Sequence, residues 1–421
     1  MEKLQRENRP TAENIHDYIR TIHSIDDKSV FLNPSELPNR IVAVGDIHGD
    51  LEAMFQILLD SQIIDINGQW IAVDTFLIQT GDIFDKGRKL KSMLNRPPNP
   101  KEIIDMNGNV KIINAITNNL DDTLFQFGNP GDELVIIKFL TDLHQQAIDP
   151  TKGFGKSRVI LCSGNHEYWY SQPTLQDIII RDGYYHPYDY AIFGSPENRI
   201  TLLRPGGILA NKFAEILKAI VIVGDFIFLH GGLDTDLLQS YHFNIEDFEN
   251  LNQNLKNYFL GNPIPVRENG IINSLLNFRE ENTRDCTKFV NYITEHLGKQ
   301  NVNIVVGHTG DMLAYDYCNT NANGIKSIYD INRKNQDGSF KPCIHLPVSL
   351  CNAGSKSANI YKIDTHISRM SGTDDYRQPK MGFLNSLIID LNPDGTKKNV
   401  SVLNSYIYNT SGILSQPIPR S

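Results

Sequence analysis

Five short apolar segments of this chain each end in a metal-binding type of side chain that is flanked by glycine. One such segment would be ordinary, because a polar turn after a strand is common. Five in one chain constrain the fold, since the carboxyl ends of strands in one sheet converge at one edge and bring distant residues together. The blocks are Gly45-Asp46-Ile47-His48-Gly49-Asp50, Gly81-Asp82-Ile83-Phe84-Asp85-Lys86-Gly87, Gly164-Asn165-His166-Glu167, His230-Gly231-Gly232 and Gly307-His308-Thr309.

The chemistry of these blocks points to metal ions. Asp46 and His48 are two residues apart after the predicted strand 40–44, so their side chains point the same way. Asp82 and Asp85 follow the predicted strand 74–80, and two buried carboxylates are costly unless positive charge neutralises them. Carboxylate, imidazole and amide ligands together suit Fe, Zn or Mn. The set is large enough for two ions, and such pairs hydrolyse phosphate esters and peptides.

The order GDIHG, GDIFDKG, GNHE, LHGG and VVGHT resembles the signature of the calcineurin-like metallophosphoesterases. It is most similar to the phosphoprotein phosphatase branch, and within it to the Shewanella-like protein phosphatases. Pro205-Gly206-Gly207 and the stretch Ile363-Asp364-Thr365-His366-Ile367-Ser368 support the second likeness. The resemblance covers residues 40 to 370 or thereabouts. It implies an α/β sandwich of four layers, with two central mixed β-sheets flanked by helices.

The resemblance also implies a role for each block. Two divalent metal ions (Mn, Fe or Zn) would be bound, with Asp82 bridging them and a hydroxide between them attacking phosphorus. His166 would be the general acid that protonates the leaving oxygen, and Asp85 would orient and charge it. The implied ligands are Asp46, His48 and Asp82 for the first ion and Asp82, Asn165, His230 and His308 for the second.

The substrate phosphate is expected to contact Lys86, Arg88, Arg279 and Asn165. Phosphoprotein phosphatases usually have Arg where this chain has Lys86, and Arg88 stands two residues on as a replacement. The resemblance implies a second phosphate-binding arginine farther along the chain. Arg279 is our choice for it, and Arg284 is the alternative. Many phosphodiesterases and nucleases of the wider superfamily have a second His at the position of Gly310, so its absence points away from them.

Composition shifts predict the domain organisation. We expect an N-terminal helical extension over 1–37, a catalytic domain over 38–408 and a flexible tail over 409–421. The catalytic domain would contain an insertion at about residues 88–131, which is rich in Pro and Asn and long for a simple connection. We expect that insertion to be a lid, a docking surface for a partner, or partly disordered.

Charge, hydropathy and cysteine content limit the partners and the compartment. A net charge of -9 argues against non-specific nucleic-acid binding. The sequence has no stretch near the roughly 20 apolar residues that a membrane span requires. Five scattered cysteines without a CxxC pair, and a polar stretch from Met1 to Pro10, favour a cytoplasmic protein with reduced thiols.

The leading hypothesis is a metal-dependent phosphomonoesterase, a protein phosphatase that acts on phosphoserine and phosphothreonine or on phosphotyrosine in proteins or peptides. A symmetrical dinucleoside-polyphosphate hydrolase is the enzymatic alternative, because that neighbouring family has similar blocks. A non-catalytic phosphoprotein-binding module is the third. It is disfavoured because all the implied ligands and both members of the His166–Asp85 pair are present.

Overall fold

The structure is a computed structural model. It describes residues 9–25, 28–85, 102–104, 110–112, 132–172, 192–234, 245–279, 286–308, 328–334, 340–343, 348–353, 356–364 and 384–405. The helices in these ranges are α1 (Ile15–Arg20), α2 (Leu51–Asp60), α3 (Asp132–Ala147), α4 (Asn165–Trp169), α5 (Pro196–Leu203), α6 (Ile208–Ile216), α7 (Ile245–Phe259), α8 (Val266–Asn277) and α9 (Cys286–Leu297).

The strands are short and rich in β-branched and aromatic residues, as strands of a buried sheet are. They are β1 (Val30–Phe31), β2 (Arg40–Val44), β3 (Thr75–Gln79), β4 (Glu102–Ile104), β5 (Val110–Ile112), β6 (Arg158–Cys162), β7 (Leu217–Lys218), β8 (Ile220–Val223), β9 (Phe226–Leu229), β10 (Asn301–Val306), β11 (Ile328–Lys334), β12 (Phe340–Cys343), β13 (Val348–Ala353), β14 (Lys356–Lys362), β15 (Leu384–Leu391) and β16 (Lys397–Ser405).

Two six-stranded mixed sheets form the centre of the molecule. The strand order is β16-β15-β2-β3-β6-β7 in the first sheet and β1-β8-β9-β10-β14-β13 in the second. In the first sheet β2, β3 and β6 are parallel neighbours. In the second sheet β9, β10 and β14 are parallel neighbours. Each sheet therefore presents a group of adjacent carboxyl ends along one edge.

The two sheets pack face to face through one shared apolar layer. Alternate residues of both sheets supply it, which is the period of two that a pleated strand imposes. Ile41 and Ala43 of β2 meet this layer from one side, and Phe226 and Phe228 of β9 from the other. All four side chains are 0% exposed. Each large apolar side chain buried in this way stabilises the fold by roughly 1.5–3 kcal/mol.

The outer face of each sheet is covered by helices. Val42 and Val44, the alternate residues of β2, belong to a second apolar cluster that includes residues of the helices. On the first sheet α3 packs against β6, and on the second α9 packs against β13 and β14. The layers are thus helix, sheet, sheet and helix, which confirms the predicted fold class.

The chain before residue 38 is part of this arrangement. Ile15 and Ile19 of α1 are fully buried, and β1 pairs in parallel with β8 at the edge of the second sheet. Within the insertion predicted at 88–131 the structure describes only the antiparallel pair β4 and β5. The rest of that segment, and the predicted tail 409–421, lie outside the described residues. In the part of the chain that the structure describes, no helix is long and apolar enough to cross a membrane.

The expectation that one sheet collects all five strand ends is wrong. The first three blocks follow β2, β3 and β6 of the first sheet, whereas His230 and His308 follow β9 and β10 of the second. The side chains still meet, because the two sheets are stacked with these edges adjacent. The candidate site therefore lies where two sheets face each other.

Candidate active site

The loop after β2 places Asp46 and His48 inside the molecule, where they are 2% and 3% exposed. His48 adopts a left-handed backbone conformation with φ of 44°. Its Nδ1 lies 2.7 Å from the carbonyl oxygen of Phe84, to which it donates in the neutral tautomer. Such an outer hydrogen bond fixes the ring so that Nε2 can bind a cation.

Asp82 lies at the centre of the site and is fully buried. Its Oδ2 is 3.3 Å from Nε2 of His230 and 3.7 Å from Nε2 of both His48 and His166. Burial opposes ionisation, but the charges of His166 and His230 lower the pKa of Asp82 well below its usual value. Asp82 is thus a carboxylate approached by three imidazoles, as a bridging ligand would be.

Glycine at position 164 is what allows the loop after β6 to touch Asp82. A Cβ atom at this position would lie 2.1 Å from Asp82 Oδ1 and 2.2 Å from the Asp82 backbone nitrogen. Any other residue would force the two loops apart. The close approach lets the backbone N–H of His166 donate to Asp82 Oδ1 over 2.9 Å.

Glu167 holds the loop after β3 and the loop after β6 together. Its carboxylate accepts hydrogen bonds from the backbone nitrogens of Asp82, Ile83, Phe84 and Gly164 at 2.7 to 3.1 Å. The side chain is 1% exposed, and burial together with the charge of Asp82 raises its pKa. Glu167 belongs to the third sequence block, but sequence reasoning assigned it no role. Its contacts make it the support of the Asp82 loop.

We expect Glu167→Ala to lower the free energy of unfolding by roughly 3 kcal/mol or more, since it leaves several buried N–H groups without an acceptor. Urea unfolding followed by circular dichroism would measure the change. Glu249→Ala, at an exposed position of α7, is the control and should shift stability by less than about 0.5 kcal/mol. Equal stability of the two variants would remove this role from Glu167.

The third, fourth and fifth strand ends bring a second group of ligand atoms to Asp82. The terminal amide atom of Asn165, placed as Oδ1, lies 2.9 Å from His230 Nε2. The same atom position is 3.0 Å from His308 Nδ1 and 3.1 Å from Asp82 Oδ2. With both imidazoles neutral, an oxygen placed here faces only acceptors, and the amide turned over would donate to them instead. Amide, imidazole and carboxylate atoms that converge in this way form a donor set that fits a divalent cation.

The imidazoles of this second group have opposite pKa shifts. Burial lowers the pKa of His230, but the charges of Asp82 and Asp46 outweigh it and raise the value to about 9. Burial, followed by the charge of His230, lowers the pKa of His308 to about 3. The Nδ1 of His230 lies 2.9 Å from the carbonyl oxygen of Thr80, which orients Nε2 toward Asn165. A divalent cation bound at Nε2 of His230 would take the place of the proton that these carboxylates favour there.

Asp46 contacts the second sheet directly. The backbone N–H of His308 donates to its carboxylate over 3.1 and 3.2 Å, and its Oδ1 lies 3.8 Å from His230 Nδ1. Burial, and next the charge of Asp364, raises the pKa of Asp46 well above its usual value. Asp364 follows β14, the parallel neighbour of β10. Concentrated negative charge at this edge favours a cation.

Two clusters of potential ligands share Asp82: one with His48 and His166, the other with His230 and His308. In each cluster one ligand atom per residue lies within 4.8 Å of the others. The sequence prediction gave Asp46 to the first ion and kept His166 outside both ligand sets. Geometry brings His166 Nε2 as near to Asp82 as His48 Nε2. What distinguishes His166 is the carboxylate on its other ring nitrogen.

That carboxylate belongs to Asp85, whose Oδ2 lies 2.9 Å from His166 Nδ1. The other oxygen of Asp85 accepts from Arg199 Nη2 at 2.5 Å. Burial alone would raise the pKa of Asp85, but the charge of Arg199 and the hydrogen bond with His166 lower it. The predicted pairing of His166 with Asp85 is thus present as a contact. Arg199, in α5, is a residue that sequence reasoning missed, because no motif surrounds it.

The predicted phosphate contacts are only partly described. Lys86 and Arg88 lie outside the described residues, as does Arg284. Arg279 is exposed, and its Nη1 donates to the carbonyl oxygen of His308 over 2.7 Å, which places it at the edge of the site. Asn165 is 4% exposed and lies among the ligand atoms.

Backbone strain is concentrated at the site. Among the described residues six other than glycine have a positive φ, and four of them are His48, Asp82, Asp85 and His308. Each such conformation costs roughly 1–3 kcal/mol, so it persists only where the surroundings enforce it. The Glu167 contacts and the close packing at Gly164 are such surroundings.

Removing bound metal ions should lower the melting temperature. A ligand at 100 times its dissociation constant stabilises the folded state by about 2.7 kcal/mol, which corresponds to a shift of a few degrees. Differential scanning fluorimetry after chelation and after re-addition of Mn²⁺ would measure it, with Mg²⁺ at equal ionic strength as the control. A melting temperature that does not respond to either step would contradict a metal site here.

Comparison with known proteins agrees with this geometry. The sequence model of the family described as "Calcineurin-like phosphoesterase" matches residues 39–310, more than half of the chain. The chain therefore belongs to the calcineurin-like phosphoesterases, and the family predicted from the five blocks is confirmed. The match begins with β2 and ends just past His308.

Two similar proteins are named Shewanella-like protein phosphatases, the group to which the resemblance pointed. The chain is 27% identical to "Shewanella-like protein phosphatase 2" of Arabidopsis thaliana over 289 residues, 65% of this chain and 67% of that protein. It is 28% identical to "Shewanella-like protein phosphatase 1" of Plasmodium berghei over 198 residues, 46% of this chain and 39% of that protein. The second match spans well under half of that relative.

Solved structures resemble this one more distantly. A cold-active protein-tyrosine phosphatase of a psychrophilic Shewanella species has a TM-score of 0.49 at 15% identity, over 90% of this chain and 83% of that one. A protein serine/threonine phosphatase from Saccharomyces cerevisiae has a TM-score of 0.45 at 11% identity, over 96% and 92%.

Proposed function

We propose that this chain is a metal-dependent phosphomonoesterase that dephosphorylates proteins. The family makes it a phosphoesterase, and the names of the curated relatives support a protein phosphatase. The observation that carries the proposal is the buried convergence of His48, His166 and His230 on the single carboxylate of Asp82.

The ligand assignment is the one that the resemblance implies, and the two clusters support it for Asp82, His48, His230 and His308. Asp82 would be shared, Asp46 and His48 would complete the first site, and Asn165, His230 and His308 the second. Two divalent cations bound there would stabilise negative charge on the phosphate and activate the attacking water. Mn, Fe and Zn all suit these donors.

His166 acts on the leaving group in this proposal. Asp85 holds the Nδ1–H of the ring, and in the doubly protonated ring the Nε2–H would be given to the departing oxygen. Arg279 at the edge of the site, together with Lys86, Arg88 and Asn165, would hold the phosphate oxygens. Lys86 and Arg88 enter on sequence grounds alone.

A substrate panel tests the proposal. Purified protein would be assayed with phosphoserine, phosphothreonine and phosphotyrosine peptides, and with a symmetrical dinucleoside polyphosphate, in Mn²⁺, Fe²⁺ or Zn²⁺. We expect hydrolysis of at least one class of phosphopeptide and little turnover of the dinucleotide. Asp82→Asn, prepared in parallel, controls for a contaminating phosphatase.

The other outcomes identify the alternatives. Turnover of the dinucleotide alone would replace the proposal by a dinucleoside-polyphosphate hydrolase. Tight phosphopeptide binding with bound metal and no hydrolysis would favour the non-catalytic module. The predicted docking role of the 88–131 segment would be tested by deleting it and comparing KM for a whole phosphoprotein with KM for a short peptide.

A further inference from the structure

Arg199 is a buried arginine connected to the site through one carboxylate. Its side chain is 1% exposed, and Nη2 lies 2.5 Å from Asp85 Oδ1. Its guanidinium carbon is 5.7 Å from the ring centroids of both Tyr170 and Phe193. Burial of this degree keeps it from contacting a phosphoprotein substrate. A buried guanidinium is costly unless it is paired with an opposite charge, and Asp85 supplies that charge.

The carboxylate of Asp85 uses both of its oxygens. Oδ1 faces Arg199, and Oδ2 lies 2.9 Å from His166 Nδ1. The three residues come from separate elements: Arg199 from α5, Asp85 from the loop after β3 and His166 from α4 after β6. A carboxylate held only by the imidazole could rotate about its terminal torsion, which is broad and roughly two-fold. The contact on Oδ1 removes that freedom.

We infer that Arg199 is a positioning residue that fixes the Asp85 carboxylate and, through it, the orientation of the His166 ring. The inference rests on the proposed role of His166 as proton donor. The result is that His166 Nε2 faces the pocket, 3.7 Å from Asp82 Oδ2. Arginine suits this position because its planar group can stack on the two aromatic rings while it donates to a carboxylate.

Arg199→Met keeps an unbranched chain and removes the charge. We expect kcat for an alkyl phosphate, such as a phosphoserine peptide, to fall about 10–100-fold, the usual cost of losing an outer residue that orients a catalytic one. With p-nitrophenyl phosphate the loss should be under about threefold, because its leaving group requires little protonation. KM and metal content should stay within about twofold of wild type, since the described contacts of Arg199 are with Asp85, Tyr170 and Phe193, which are not proposed metal ligands.

Two further variants separate positioning from general damage. Arg199→Lys retains the charge without the planar fork and should recover part of the loss on alkyl phosphates. Arg158→Met is the matched control. Arg158 stacks on Phe31 and Phe76 at the start of β6, the end of that strand away from the site, and its loss should leave both substrates unaffected.

A double-mutant cycle with Asp85→Asn is the decisive experiment. If Arg199 acts through Asp85, the double variant should be no slower than Asp85→Asn alone. Losses that multiply, a rise in KM with unchanged kcat, or equal losses on alkyl and aryl phosphates would overturn the inference.

The same double-mutant cycle, measured by urea unfolding, detects the Arg199–Asp85 contact independently of enzymatic activity. Coupling between positions 85 and 199 in the unfolding midpoint is expected, and its absence would also overturn the inference. A wild-type protein that hydrolyses no phosphomonoester, yet shows this coupling, would refute the proposed function while leaving the Arg199–Asp85 contact in place.

Discussion

Asp82→Asn is expected to abolish most of the activity and to lower metal content. Asp82 is the residue shared by both ligand clusters, and its Oδ2 lies within 3.7 Å of three imidazole nitrogens. An amide is neutral and offers one oxygen, so it would hold two cations poorly. Metal ions contribute several kcal/mol to transition-state stabilisation, so a loss of about 10³-fold or more in kcat is expected.

Two measurements check this result. Elemental analysis of the purified variant gives the metal content per chain, and steady-state kinetics on a phosphopeptide give the rate. Asp142→Asn is the matched control, because Asp142 is a partly exposed carboxylate that pairs with Lys138 away from the site. Full metal occupancy with normal turnover in Asp82→Asn would remove Asp82 from the site.

His166→Asn is expected to lower kcat by roughly 10²–10⁴-fold, the usual contribution of a general acid, while both metal ions are retained. The reason lies in its surroundings: Nδ1 faces Asp85, whereas the corresponding nitrogens of His48 and His230 face backbone carbonyls. A carboxylate on Nδ1 orients the ring as a proton donor requires. Carboxylates also orient metal-bound imidazoles, so the metal content of the variant decides between the two roles.

The dependence on the leaving group separates these two roles of His166. The loss should be large for a phosphoserine peptide and small for an aryl phosphate with a good leaving group. His23→Asn, at a surface histidine that lies 3.5 Å from Asp142, should have no effect on either substrate. An equal loss on both substrates, accompanied by loss of metal, would make His166 a ligand instead.

Much of the site followed from the chain alone. The predicted strand 40–44 is β2 as observed, and the strand predicted at 74–80 is Thr75–Gln79. Such agreement has a local cause, since a run of β-branched and apolar residues before a glycine leaves little choice of backbone conformation. The residue types at the strand ends likewise indicated metal binding before any contact was known.

The arrangement of the strand ends required the tertiary structure. Sequence reasoning placed all five ends in one sheet, but His230 and His308 belong to the second sheet. The sequence of a strand of four to six residues does not specify which sheet the strand joins. That choice is made by the apolar layer between the sheets, which residues far apart in sequence build together.

Arg199 and Glu167, which hold the site residues in place, show most clearly what the sequence determined and what the tertiary structure decided. The Asp, His and Asn side chains of the site stand in recognisable blocks, so the sequence by itself determined them. Arg199 is 114 residues from Asp85, and Glu167 is 85 residues from Asp82. Only the folded chain brings these pairs together, because the packing of α5 against the site and the close approach at Gly164 depend on every intervening element. Local sequence thus set the chemistry, and long-range packing decided which groups hold it in place.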